Sequence, residues 1–383
     1  MEWRARRLRD PVERLQFLQS KIFSEIPAAP ERKWRIARFP TFAAALALTL
    51  VSATMLQPFA KRALGLSPPP ATPRSITPAV FNTKTDAPPA DAPHVWIVEN
   101  NPHFDLYSNG LRVENEFATS NSPRKYPAFR ADRPDSPAEW RTEPAGIVFH
   151  TTESHIAPFE EDQNRTLKQA GESLLEYVRR RKSYHFVIDR FGRVFRIVRE
   201  SDSAYHAGNS VWADSRWVYV YLNESFFGIA FEAQSKQDGE SRPANAAQIH
   251  AARILTEMLR ARYQIPASNC VAHAQVSVNP SNRRAGYHTD WAANLPFADL
   301  GLTDNYARPL ASMTLFGFEA DAGLAELGGA ALARGIDAGE NQIQADAAAH
   351  GLPTDRYRAS LQKRYRDTIQ MLRGKNVYQE NNP

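Results

Sequence analysis

Four residues of this chain combine metal-binding side chains with useful placement. His150 ends the apolar run GIVFHTT, His273 follows the run NCVA in NCVAHAQVS, and His288 and Asp290 lie in RRAGYHTDW. Zn2+ favours imidazole nitrogen and carboxylate oxygen in four-coordinate sites, and a catalytic zinc keeps one position for water or substrate. Two histidines and one carboxylate meet that demand. Strand ends and the loops after them are where a rigid sheet presents side chains to a common pocket. The ligands lie far apart in the chain and no HExxH motif joins them, so each histidine, taken singly, also fits a core or surface role. The one cysteine, Cys270, rules out an intramolecular disulfide and a Cys-rich zinc site. It sits in an apolar run before Val271 and Ala272, which favours a buried structural thiol over a nucleophile.

The elements that must position these residues read as interleaved strands and helices. GIVFHTT (146–152) reads as a buried strand. Residues 164–181 place Leu167, Ala170, Leu174, Leu175 and Val178 at helical spacing. YHFVID (184–189) and VFRIV (194–198) read as two strands joined by a glycine-containing turn, RFGR. FFGIAFEAQ (226–234) is a further strand, 244–263 an amphipathic helix, and NCVAHAQVS (269–277) a short strand running into a loop. The expected class is α/β (α+β), a mixed central β-sheet flanked by helices, in a globular domain spanning 96–303. Beyond residue 304 the composition turns rich in alanine and glycine, and 355–373 is a basic helix. Residues 304–383 read as a helical C-terminal extension that packs on the domain or on a partner.

The chain has 383 residues and a formal net charge of +5. Much of the excess sits in residues 1–38, a basic tail with ten lysines and arginines, and no basic stripe with interleaved aromatics marks a nucleic-acid surface. An uncharged stretch, 39–60, follows. It is long enough to cross a bilayer, and the positive charge before it predicts a cytoplasmic N-terminus. We read it as a single-pass transmembrane signal anchor. A cleaved signal would have a shorter basic region, and a buried globular helix would show a polar face. Residues 61–95, with SPPPATPRSITPA and DAPPADAP, read as an extended linker that holds the domain away from the membrane, outside the cytoplasm.

The segments GIVFHTT, YHFVIDRFGRVFRI, AYHAGNS, FFGIAFEAQ, CVAHAQVSVNP and GYHTDW occur in an order and spacing that resembles the N-acetylmuramoyl-L-alanine amidase type 2 family, over about residues 144–300. The resemblance implies a Zn2+ site on His150, His273 and Asp290, and hydrolysis of the amide joining N-acetylmuramic acid to L-alanine in peptidoglycan or muropeptides. It implies catalytic roles for Tyr184, early in the YxF strand, and for His288, where relatives often carry lysine. Other relatives use the glutamate of a GIE motif. Here the motif reads GIA, so Ala230 holds that position, and Glu232 lies two residues along on the same strand face. The AYHAGNS loop resembles one that borders the substrate groove, which makes His206, Asn209 and Trp212 candidate substrate contacts. His206 fits a structural role equally, Trp212 and Trp217 fit core packing at least as well, and His185, alternating away from Tyr184, fits packing better. The Ala230 departure keeps a second reading open: a peptidoglycan-binding or sensing module without turnover. A zinc hydrolase acting on another amide is a third. Oligomeric state has no signature in the sequence.

Overall fold

The computed structural model describes residues 94–133, 136–235 and 243–374. The basic tail, residues 39–60 and nearly all of the linker lie outside the described residues. Among those described, no helix is long and apolar enough to cross a membrane.

The strands in chain order are β1 (Ile97–Asn100), β2 (Phe104–Tyr107), β3 (Arg112–Glu114), β4 (Tyr126–Arg130), β5 (Glu139–Arg141), β6 (Gly146–Thr151), β7 (Phe186–Ile188), β8 (Val194–Arg196), β9 (Val211–Ala213), β10 (Trp217–Val220), β11 (Phe226–Phe231), β12 (Cys270–Ala272), β13 (Val278–Asn279), β14 (Arg284–Ala285) and β15 (Glu319–Ala320). The helices are α1 (Asn164–Arg181), α2 (Leu222–Ser225), α3 (Ala246–Tyr263), α4 (His273–Val276), α5 (Ala311–Phe316), α6 (Ala322–Leu327), α7 (Gly329–Ala349) and α8 (Thr354–Gly374). The main sheet is mixed, with strand order β1-β2-β3-β8-β7-β11-β6-β12. A four-stranded sheet, β5-β4-β10-β9, and a three-stranded one, β13-β14-β15, accompany it.

The four strands β7, β11, β6 and β12 run parallel. Parallel strands covered on both faces read as continuous apolar runs. That is the character of β6 and β11, in which every residue is buried. On one face, Leu174, Leu175 and Val178 of α1 pack with Val187, Phe195 and Ala230. On the other, Leu255, Met258 and Leu259 of α3 join a large cluster with Ile147, Phe149, Ile229 and Phe231. A capping box starts α3: Asn245 Oδ1 accepts from the Gln248 backbone N–H, and Gln248 Oε1 accepts from the Asn245 N–H. The β7–β8 hairpin turns at Gly192, whose φ of +79° suits glycine.

Within the domain expected from residue 96, residues 97–141 supply five short strands that no pattern in the sequence marks. The helices after 304 share the domain's core: Leu324, Leu332, Ile336, Ile343, Tyr365, Ile369 and Leu372 belong to the same apolar cluster as Phe149.

Candidate metal centre

The register of the parallel strands builds the site. Ala272 pairs with Phe149 across β12 and β6, so the next residues, His273 and His150, emerge side by side at the carboxyl edge of the sheet. Ala230 pairs with His150 across β11 and β6. This edge is where open α/β sheets bind their ligands. The chain does not continue as a strand into a loop after Ala272. It turns into the single helical turn α4, and the Gln275 side chain accepts from the Ala272 N–H to stabilise that turn. His273 is therefore the first residue of α4, close to the strand end.

Asp290 comes in from the following loop and stands between the two imidazoles. Its Oδ2 lies 3.1 Å from His150 Nδ1 and its Oδ1 2.8 Å from His273 Nδ1. One ligand atom from each of His150, His273 and Asp290 lies within 4.8 Å of the others. Burial alone would raise the Asp290 carboxyl, but charge on His273 and the close approach of both imidazoles hold it well below the usual carboxylate range. His150 is pushed down to about 4, first by burial and then by repulsion from His273, with Asp290 opposing. The site thus holds a carboxylate and a neutral imidazole with its lone pair available. His273 Nε2 is buried and has no hydrogen-bond partner among the described residues. Two imidazoles, a carboxylate and an orphaned buried nitrogen within one small volume fit a zinc-type cation.

Around this group the sequence candidates separate. Tyr184 is close: its ring centroid lies 5.2 Å from that of His150, and burial raises its hydroxyl well above the ordinary value. His288 stacks on His273 at 4.7 Å and 18°. Close packing, then charge on His273, lowers it to about 4, although its outer edge is open to solvent. The backbone of His288 is clamped by Ser277, whose Oγ accepts from the His288 N–H and donates to its carbonyl.

Glu232 is buried and turned elsewhere. Its Oε2 accepts from the Arg190 backbone N–H at 3.1 Å and faces Gly171 of α1. Burial raises its carboxyl. Trp212 is a core residue, 2% exposed, with its indole N–H donating to Asn269 Oδ1. A ring so enclosed offers no face to a sugar, which corrects the expected substrate contact. Trp217 is likewise buried, with the Arg141 guanidinium 3.8 Å from its ring centre. Asn209 is half-buried and its carbonyl accepts from the Val278 N–H, which ties the 206–210 loop to the chain after α4.

His206 lies behind His150. It is 8% exposed, with Nδ1 3.1 Å from His150 Nε2 and Nε2 3.2 Å from the Phe226 carbonyl oxygen. His185 is fully buried, and its Nδ1 accepts from the Gly228 N–H. Beneath His185 lies a residue that sequence reasoning did not single out, Arg124. Its guanidinium reaches the carbonyls of Glu224, Glu200 and Asp202 as well as His185 Nε2. No local motif marks Arg124, because its partners come from 61 to 100 residues away.

Residues 140–290 match the sequence profile of the N-acetylmuramoyl-L-alanine amidase family. The chain is 34% identical over 89 residues to the N-acetylmuramoyl-L-alanine amidase AmiD of Escherichia coli (strain K12). That match covers 22% of this chain and 31% of AmiD, so the chain spans about a third of that curated relative. Among solved structures, AmpDh3 from Pseudomonas aeruginosa in complex with anhydromuramic pentapeptide is 23% identical, with 41% of this chain and 58% of that one covered and a TM-score of 0.30. AmiD from E. coli in complex with anhydro-N-acetylmuramic acid-L-Ala-D-gamma-Glu-L-Lys is 21% identical, with coverages of 52% and 65% and a TM-score of 0.32. Residues 140–290, which hold His150, His273 and Asp290, are thus similar to the N-acetylmuramoyl-L-alanine amidase family.

Proposed function

We propose that this chain is a zinc-dependent amidase that hydrolyses the bond between N-acetylmuramic acid and L-alanine in peptidoglycan or its released muropeptides. The observation that carries the proposal is the convergence of His150, His273 and Asp290 at the carboxyl edge of the parallel strands, within residues similar to this family. His150, His273 and Asp290 would hold the metal, which supplies Lewis acidity and a water of lowered pKa. The chain's own groups supply the rest. The Tyr184 hydroxyl, kept protonated by burial, donates a hydrogen bond to the oxyanion that develops on the lactyl carbonyl. His288, neutral and at the solvent edge, would take the proton lost by the attacking water and deliver it to the leaving amine of L-alanine. With its carboxylate engaged by the Arg190 N–H, Glu232 acts as a structural acid rather than a proton carrier.

A second reading draws on one observation, Ala230 beside His150 in place of a glutamate. It makes the domain a peptidoglycan-binding module without turnover. The two readings part on one experiment: the zinc-loaded full-length chain incubated with a muropeptide and, separately, with its free stem peptide. Loss of muropeptide with release of a free N-terminal L-alanine supports the amidase. Binding of intact muropeptide with no product supports the module, and cleavage of the free peptide would show a different amide to be the target.

We also propose that residues 39–60 anchor the chain in the cytoplasmic membrane, with the domain on the cell-wall side. The uncharged run behind ten basic residues supports this reading. A topology reporter fused after residue 70 should report from outside the cytoplasm, and a cytoplasmic signal would refute the anchor.

A further inference from the structure

We infer that His206 is a positioning residue for His150: it accepts the His150 Nε2 proton and so leaves the Nδ1 lone pair of His150 directed at the metal site. This deepens the metal reading proposed above and rests on it.

One atom in this group of contacts cannot donate. The Phe226 carbonyl oxygen lies 3.2 Å from His206 Nε2, so that nitrogen carries the proton. In the neutral ring the other nitrogen, Nδ1, then has only a lone pair. It faces His150 Nε2 at 3.1 Å, and a stable contact requires the proton to sit on His150 Nε2. His150 Nδ1 is left bare, 3.1 Å from Asp290 Oδ2. The opposite arrangement, with the proton on His150 Nδ1, would set two lone pairs against each other at the His206 contact. A chain of one carbonyl and two imidazoles therefore fixes which nitrogen of His150 is offered to a cation, as outer-shell partners do in metal sites generally.

The surroundings hold His206 for this task. Asn223 Oδ1 accepts from the backbone N–H of both His206 and Ala207, at 2.9 and 2.7 Å. On the other side the ring lies directly against Gly228. A Cβ there would come within 2.5 Å of His206 Cγ and 2.8 Å of its Cβ. Glycine in the middle of β11 weakens a strand, and a close approach of this kind is what justifies it. The ring is buried and in contact with His150, so its role is exerted through the ligand.

The test compares the full-length chain with His206→Leu and His206→Asn, measuring zinc affinity by competition with a chromophoric chelator. Asparagine keeps an acceptor oxygen near the place of Nδ1, and leucine keeps none. The inference predicts that the leucine variant binds zinc more weakly by roughly 10–100-fold and that asparagine restores most of the loss. A leucine variant as tight as wild type, or an asparagine variant as weak as leucine, overturns the inference while leaving the metal reading intact. A wild-type chain that binds no zinc overturns the metal reading, and the inference with it. Should the leucine variant fail to fold, the wild-type chain decides through the ring 15N shifts of labelled histidine: a proton on His206 Nε2 and a bare Nδ1 are expected, and a protonated Nδ1 refutes the inference.

Discussion

Ala230 stands directly beside His150, paired with it on the neighbouring parallel strand, and is fully buried. Its methyl group packs in the cluster that holds Leu174, Val187 and Phe195. No carboxylate reaches the pocket from this position. The next acidic residue on the strand, Glu232, is bound to the Arg190 N–H and faces Gly171. The acid–base work of the proposed reaction therefore falls to groups on other elements, Tyr184 and His288.

Restoring a glutamate at 230 should be costly for this chain. Its neighbours are packed for a methyl group, and a larger side chain must displace them. We expect Ala230→Glu to lower the stability by about 1–3 kcal/mol in urea unfolding. An unchanged unfolding midpoint would reveal room and polar partners beside Ala230 and contradict the packing described above.

Removing the Tyr184 hydroxyl should affect the rate and leave the metal alone. Tyr184→Phe keeps the ring next to His150 and deletes the donor. The expected fall in kcat on muropeptide is roughly 10²–10³-fold, the usual effect of one oxyanion donor, with zinc affinity unchanged. An unaltered kcat would assign stabilisation of the oxyanion to another group.

The acid limb of stability should follow His150. Its pKa is lowered from 6.5 to about 4 in the folded chain, first by burial. Between those values the unfolded chain binds more protons than the folded one, so stability rises with pH across the window and is lost as pH falls through it. His288, also lowered to about 4, acts in the same direction. Urea midpoints measured in chelator should drop as pH is taken from 7 to 5. A flat profile would mean that neither imidazole is held neutral by the fold.

Arg124 is predicted to be among the most sensitive structural positions. It is 2% exposed, and burial lowers its guanidinium to about 10. Arg124→Met strands the carbonyls of Glu200, Asp202 and Glu224 and removes the partner of His185. We expect a loss of about 2–4 kcal/mol, read from chemical denaturation. A loss under 1 kcal/mol would show that those carbonyls find other donors.

The elements around the metal group were legible because their patterns are local. The buried runs at 146–151 and 226–231 and the helical spacings at 164–181 and 246–263 depend on nearest neighbours in the chain. His150 and His273 are marked by the short apolar runs that lead into them, and that too is written locally. What escaped depends on distant pairing. The first five strands have three to five residues each, too few to show a period. The AYHAGNS loop drew attention to His206 and Trp212, but only the fold shows one bonded to His150 and the other sealed against Asn269. The register that places Ala230 beside His150 sets the strand neighbours, and the direction of the Glu232 carboxylate follows from a backbone N–H 42 residues away.

The central claim is metal-dependent cleavage at the lactyl amide, and one measurement addresses it directly. The full-length chain, loaded with zinc, is incubated with purified peptidoglycan beside its His273→Ala variant, and the soluble products are identified by mass spectrometry. The account predicts stem peptides with a free N-terminal L-alanine from the wild-type chain and none from the variant. Stem peptides released equally by both would contradict the role of the metal group, and no release by either, with wall binding intact, would contradict the amidase itself.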